Sequence, residues 1–288
     1  MDLQRRHLYR LGRLHALGTL IALSAAAADP AGATGSAQDL LSVEVTPLRA
    51  ELKMVPGASL TQAVTVRNDG TQPIHMYARV DDWFLSKDGT PQFKPSDPTD
   101  PFSAAAWLKL NPTDQIIPAG KAAIVRFTMA VPHGVADGGY RAAVMFEFDP
   151  SGTSPQSQGR DVRFRSRVAT IVYATVGKPA IAVEMTDLQI SVPKDRPPEV
   201  VATLKNTGRT HVRTTGTVII YGPGDSIVRK LTVPNVPVLP ESERDVHVPT
   251  SDDAHPPLPA GRYRVEVRID VGLPSLLVGE TTLEIPPR

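Results

Sequence analysis

From Val43 onward, hydrophobic and polar positions alternate in short runs separated by turn residues. In QAVTVRN, Val64 and Val66 alternate with Ala63, Thr65 and Arg67, the period of a strand buried on one face. The segment VEVTPLRAELKMVPGASLTQAVTVRNDG reads as β runs divided by the turn Val55-Pro56-Gly57-Ala58 and stopped by Asn68-Asp69-Gly70. PIHMYARVDDWFLS, IVRFTMAVP, GGYRAAVMFEFDP and DVRFRSRVATIVYATV predict further strands. SKDGTPQFKPSDPTDP is turn-rich and reads either as an ordered loop or as an open hairpin. Ser151–Arg160 is small, polar and without periodicity, which predicts a mobile loop between two strands.

Gly177-Lys178-Pro179 interrupts the pattern, which then restarts with the same punctuation. VTVRNDG ends at Asn68-x-Gly70 and VATLKNTG at Asn206-x-Gly208. A turn at Pro118 precedes a strand ending Val131-Pro132, and a turn at Pro240 precedes one ending Val248-Pro249. Gly138-Gly139-Tyr140-Arg141 and Gly261-Arg262-Tyr263-Arg264 open matching late strands, lying 22 positions after Pro118 and 23 after Pro240. A tyrosine so placed has the position of the tyrosine corner of Greek-key sandwiches; an ordinary core tyrosine predicts the same fold. The expectation is an all-β chain of two tandem immunoglobulin-like Greek-key sandwiches over residues 38–179 and 180–288.

Composition changes this picture at three points. Arg5, Arg6, Arg10 and Arg13 precede the apolar run LHALGTLIALSAAAA, a leader grammar that predicts export with cleavage between residues 28 and 37. The apolar run is shorter than the ~20 residues of a bilayer span and is interrupted by His15 and Gly18, so no stable membrane span is expected after cleavage. The chain has no cysteine, so each core must suffice without a disulfide. Lys plus Arg number 31 against 30 Asp plus Glu, and no overall field draws the molecule to nucleic acid.

Chemistry-bearing motifs are sparse. His75, His133, His211, His247 and His255 lack paired ligand spacing, so no metal and no cofactor is expected, and no nucleophile elbow, phosphate loop or dinucleotide fingerprint is present. Asp81 and Asp82 are adjacent on a strand, face opposite ways and cannot flank one bond; one of them reads as a solvated strand-end charge. Trp83, Phe84 and Trp107 suggest a stacking platform, but with aromatics at 5% of the chain the core has the first claim on them. The run from Arg160 is more informative. Arg163, Arg165 and Arg167 share one strand face, while Val162, Phe164, Ser166 and Val168 share the other. Such a stripe is either a charged guard on an edge strand or a surface for a partner's acidic groups.

In order, VEVTPLRAEL, VPGASL, QAVTVRNDG, IIPAGKAAIVRF and RVATIVYATVGKP resemble the first domain of PapD-like periplasmic pilus chaperones over about Ser42 to Pro179. The resemblance implies a non-enzymatic periplasmic protein that pairs the last strand of its first domain with a pilus or surface subunit. It implies a donor row from Val162, Phe164 and Val168, broken by Ser166, and a subunit carboxylate held by basic residues. Arg49 stands at the first basic position and Thr170 where a lysine is expected, with Arg167 nearby as the compensating charge. VPHGVADGGYRAAV is also similar to the WxL-interacting type of two-domain surface protein, whose implied role is binding wall polymer or surface proteins. An exposed strand edge further admits pairing with a second copy.

Overall fold

The computed structural model describes residues 42–150, 165–194, 196–252 and 254–287. The expected leader, the expected loop over 151–160, and Val162, Arg163 and Phe164 lie outside the described residues. The first half contributes β1 (Val43–Thr46), β2 (Arg49–Met54), β3 (Ser59–Asn68), β4 (Ile74–Leu85), β5 (Pro91–Pro95), β6 (Leu108–Asn111), β7 (Asp114–Ile117), β8 (Ala122–Ala130), β9 (Gly138–Pro150) and β10 (Ser166–Val176). One sheet runs β1-β3-β8-β6 and the other β2-β10-β9-β4-β5, with β7 also on β4. The turn-rich stretch after Leu85 is therefore a hairpin, β5 pairing back on β4 from Asp81↔Pro95 to Leu85↔Pro91.

The even-numbered residues of β3 and the odd-numbered residues of β8 turn inward as the alternation requires, and Val64, Val66, Val125, Phe127 and Met129 meet Ile74, Met76, Val144, Phe146 and Phe148 between the sheets. Each large apolar side chain buried there contributes roughly 2 kcal/mol. Strand β9 differs from its neighbours: Ala142, Val144 and Phe146 are buried toward the core, while Ala143, Met145 and Glu147 are buried on the opposite face.

The second half contributes β11 (Val183–Ser191), β12 (Glu199–Asn206), β13 (Val212–Arg213), β14 (Thr215–Tyr221), β15 (Ile227–Thr232), β16 (Pro237–Val238), β17 (Ser242–Pro249), β18 (Gly261–Asp270) and β19 (Leu277–Ile285). The sheets are β11-β12-β17 and β15-β14-β18-β19, with the short pair β13-β16 beside them. Val200, Ala202, Leu204, Val246 and Val248 pack against Val218, Ile220, Val265, Val267 and Leu283 in a second core. The fold is all-β, two tandem immunoglobulin-like sandwiches.

The repeated punctuation has one physical meaning in both halves. Asn68 is fully buried; its Nδ2 donates to the carbonyls of Gln72 (2.8 Å) and Ile117 (3.0 Å), and its Oδ1 accepts the Gly70 N–H (3.0 Å). Asn206 does the same with Thr210 (2.8 Å), Val238 (3.1 Å) and the Gly208 N–H (2.9 Å). Each amide thus closes its own turn and ties it to the strand end that precedes the next proline turn. The tyrosines match as well. Tyr140 Oη donates to Ala136 O and Tyr263 Oη to Pro259 O, both at 2.9 Å and both four residues back.

Replacing Asn68 by Ala leaves two carbonyls and one N–H without partners, and at about 1 kcal/mol per group the first sandwich should lose about 3 kcal/mol. Urea unfolding with an unchanged m-value measures it. Asn206→Ala should act equally on the second sandwich, whereas Tyr140→Phe, which removes one hydrogen bond and keeps the ring, should cost about 1 kcal/mol.

Candidate functional site

Strand β10 has two halves with different neighbours. On one side it pairs along its whole length with β9, from Ser166↔Phe148 to Val176↔Gly138. On the other side it pairs with β2, in parallel, only from Ile171↔Arg49 to Val176↔Met54. The first contact is the Ile171 N–H donating to Leu48 O at 2.9 Å. By strand alternation, the N–H and C=O groups of Arg167 and Ala169 point to that same side, and no strand among the described residues meets them there. Ser166–Thr170 is therefore an open edge about 17 Å long at strand rise.

Side chains along this edge sort by face. Val168 packs against the first core, and Ser166 beside it is half-buried. Thr170, which the family resemblance puts where a lysine is expected, offers no charge at this edge. It is fully buried and donates to Pro47 O at 2.8 Å. The residue in register with Arg49 is Ile171. Arg49 itself is exposed, with one ion pair to Glu51 at 3.4 Å.

The arginine stripe is answered inside the molecule. Arg165 clamps Asp149 through Nε (2.9 Å) and Nη2 (3.2 Å), and Arg167 Nε lies 2.9 Å from Glu147. Arg79 on β4 also reaches Glu147 and holds Asp81 through Nε at 2.9 Å. Three arginines thus face three carboxylates across β10, β9 and β4. The Arg79 hydrogen bond, with the charges of Arg79, Arg167 and Arg165, holds the Glu147 carboxyl below the usual carboxylate range despite partial desolvation. The guanidiniums are about half exposed though Asp81 and Glu147 are not, so each pair contributes about 0–1 kcal/mol and orients the arginines rather than holding the sheet. The two described arginines of the stripe carry no unanswered charge toward an acidic polymer.

Asp81 and Asp82 do face opposite ways, but neither is solvated: they are 6% and 1% exposed. Asp82 accepts the Asp97 N–H and the Ser103 hydroxyl, both at 2.6 Å, and so fastens the segment after β5. Trp83 is buried, Trp107 packs half-buried on Tyr140 with ring centroids 4.5 Å apart, and Phe84 is exposed.

Beyond Ile171, the same outer face meets the second sandwich. Trp83, Ala143 and Tyr173 form a small apolar cluster with Leu239, and the His211 ring lies 4.5 Å from that of Tyr173. Arg213 Nε donates to Glu51 at 2.7 Å and its guanidinium lies 5.4 Å from the Tyr173 ring. The Gly139 N–H donates to Arg209 O at 2.6 Å; a Cβ at Gly139 would sit 2.9 Å from Thr210 Cα, so the approach needs glycine. The β4–β5 hairpin tip adds the bond from Asp245 N–H to Lys87 O at 2.8 Å.

With this geometry in place, comparison with known proteins gives the following. No family model and no curated protein matches the sequence. Among solved structures, the class 5 fimbriae chaperone CfaA is similar at 14% identity over 85% of this chain and 100% of its own, with a TM-score of 0.43. The YadV chaperone is similar at 10% identity over 84% and 99%, TM-score 0.43. The CupB2 chaperone of Pseudomonas aeruginosa is similar at 14% identity over 83% and 98%, TM-score 0.39. These likenesses concern the course of the chain and assign no residue a role.

Among the described residues, no group of three or more His, Asp or Glu side chains is placed to hold a metal ion, and no helix is long and apolar enough to cross a membrane. Glu147, Asp149 and Arg79, which answer the stripe, and Tyr173, His211 and Arg213, which join the sandwiches, carry no motif of their own. The doubled glycine at 138–139 was the one local sign of a close approach.

Burial lowers the His211 pKa from 6.5 to about 4, with the Arg213 charge adding to the shift and Glu51 opposing it. Between those two values the unfolded chain binds a proton that the folded protein refuses, so stability falls as the pH drops through that window, by about 3 kcal/mol in full. Urea unfolding of the parent and of His211→Phe from pH 7 to pH 4 checks this: the variant should lose one proton's worth of slope.

Proposed function

We propose that this protein is exported and holds an extended segment of another protein by adding it as a strand to the Ser166–Thr170 edge of β10, with no catalytic step. The carrying observation is the half-covered edge: one side is fully paired with β9, and the other meets no strand among the described residues until β2 begins at Arg49↔Ile171. Main-chain hydrogen bonds to Arg167 and Ala169 would supply affinity that does not depend on sequence, and alternate side chains would supply selection.

The start of β2 also limits the occupant. A strand added along the edge cannot continue past Ile171, so it must turn away or end beside Leu48 and Arg49. Both are exposed. A chain end there would bring a carboxylate to a guanidinium that among the described residues holds a 3.4 Å pair with Glu51. One cation serves this site, since Ile171 and not a lysine is in register with it. The sequence resemblance to pilus chaperones supports a pilus or surface subunit as the partner, and the leader supports the periplasm as the place.

Strand addition and side-chain contact separate in one pair of variants. Arg167→Ala removes the charge but keeps the edge N–H, whereas Arg167→Pro removes that N–H, which no internal strand uses. Capture of small subunits from the protein's own envelope extract should survive the alanine change and fall at least tenfold with proline, while both variants unfold cooperatively. Equal capture by both would mean that the edge is not the contact. Arg49→Ala should weaken capture by several-fold with no shift in the unfolding midpoint, and capture equal to that of the parent would remove Arg49 from the site.

A further inference from the structure

A groove of about 860 Å³ crosses the outer face of the β2-β10-β9-β4-β5 sheet and is bounded on β10 by Arg167 and Ala169, the two residues whose backbone edge meets no strand among the described residues. Its lining includes the apolar surfaces of Ala169, Met145, Phe93 and Pro95. Met145 is 4% exposed although it lies on the outer face, and Ala169 is the small residue between Arg167 and Ile171. Of the charged residues around it, Arg79, Asp81, Glu147 and Arg167 are paired with one another, and Lys94 is paired with Asp97 and Asp100. The groove therefore offers an apolar floor with a charge-balanced rim, open toward the unpaired strand edge.

Resting on the strand-addition reading above, we infer that this groove selects the occupant of the edge by taking one large apolar side chain, aromatic or methionine, from the residue opposite Ala169. A residue added opposite Ala169 shares its face, with Cβ atoms about 5 Å apart, whichever way the added strand runs. Met145, cross-strand from Ala169 on β9, lies about one further strand spacing of 4.8 Å away. A leucine ends over Ala169, whereas an aromatic or methionine side chain lies across it and reaches Met145. A charged side chain would meet a rim with no free counter-ion, and any side chain larger than alanine at position 169 would close the way in. Methionine in the floor suits this role because its unbranched thioether adapts to different ring shapes and meets aromatic edges favourably.

The test is selection of nine-residue segments from a random display library on the mature protein, repeated on Ala169→Trp and Ala169→Glu. Circular dichroism and urea unfolding first establish that each variant is folded; if tryptophan perturbs the sheet, the glutamate variant carries the test. Segments from the parent selection should alternate in polarity with one outward-facing position held to Phe, Tyr, Trp or Met. Replacing that residue by Gly should weaken binding about tenfold in the parent and less than twofold in Ala169→Trp, the coupling that marks direct contact. Alternating segments with no apolar preference at any outward position, or a Gly replacement equally costly in both proteins, would overturn the groove and leave strand addition standing. No alternation at all, with no protection of the Arg167 and Ala169 amides from exchange on binding, would overturn both.

Discussion

Much of this structure follows from where β2 stops pairing with β10. The chain enters the first sandwich as β1 in one sheet and continues as β2 in the other, crossing at Pro47 and Leu48. The crossing is fastened by the buried Thr170 hydroxyl on Pro47 O and by the Ile171 N–H on Leu48 O. A first strand shared between two sheets can cover only part of either edge. Among the described residues β10 is therefore sealed over Ile171–Val176 and open over Ser166–Thr170, and one strand carries both an open edge and a support for the second sandwich.

An open edge is a hazard, and charge is the usual guard against unwanted pairing. Here Arg165 and Arg167 flank the edge but are held by Asp149 and Glu147 on the strand behind it. The repulsion of a like-charged stripe is thus removed without a partner, at the cost of burying Glu147 to 8% exposure. The guanidiniums stay near their own sheet and leave the backbone beyond them accessible. Guarding the edge and leaving it usable are compatible because the answering charges lie on β9 and not on the free side.

What the sequence made legible was local. Asn68 and Asn206 bond to groups two and four residues ahead, and Tyr140 and Tyr263 to a carbonyl four residues back, so a short motif carries these contacts, whereas the bonds of the two asparagines to Ile117 and Val238 lie outside it. Alternation likewise told which side chains of β10 share a face. It could not tell register, and a slip of one residue exchanges the faces. That is why the carboxylates opposite the arginine stripe, and Ile171 in register with Arg49, went unseen. One of Asp81 and Asp82 read as a solvated strand-end charge because the partners of Asp82, the Asp97 N–H and Ser103, lie on a segment that returns only in three dimensions. The joint between the sandwiches was the least legible part, since Arg213 and Glu51 are 162 positions apart and neither belongs to a pattern.

The two uses of β10 depend on β9 beneath it. β9 is buried on both faces, and its small residues Ala142 and Ala143 let it lie flat between the core and the joint with the second sandwich. Because β9 pairs with β10 along the full length of β10, the free half keeps its extended geometry without β2. An incoming strand then meets a backbone already in place, so the ordering cost that a disordered edge would add, about 1–2 kcal/mol per residue, falls on the partner alone. Affinity at such an edge is set less by the number of new hydrogen bonds than by how much of the pairing surface is fixed beforehand. β9 fixes it, and the inward packing of Val168 holds the free half against the first core.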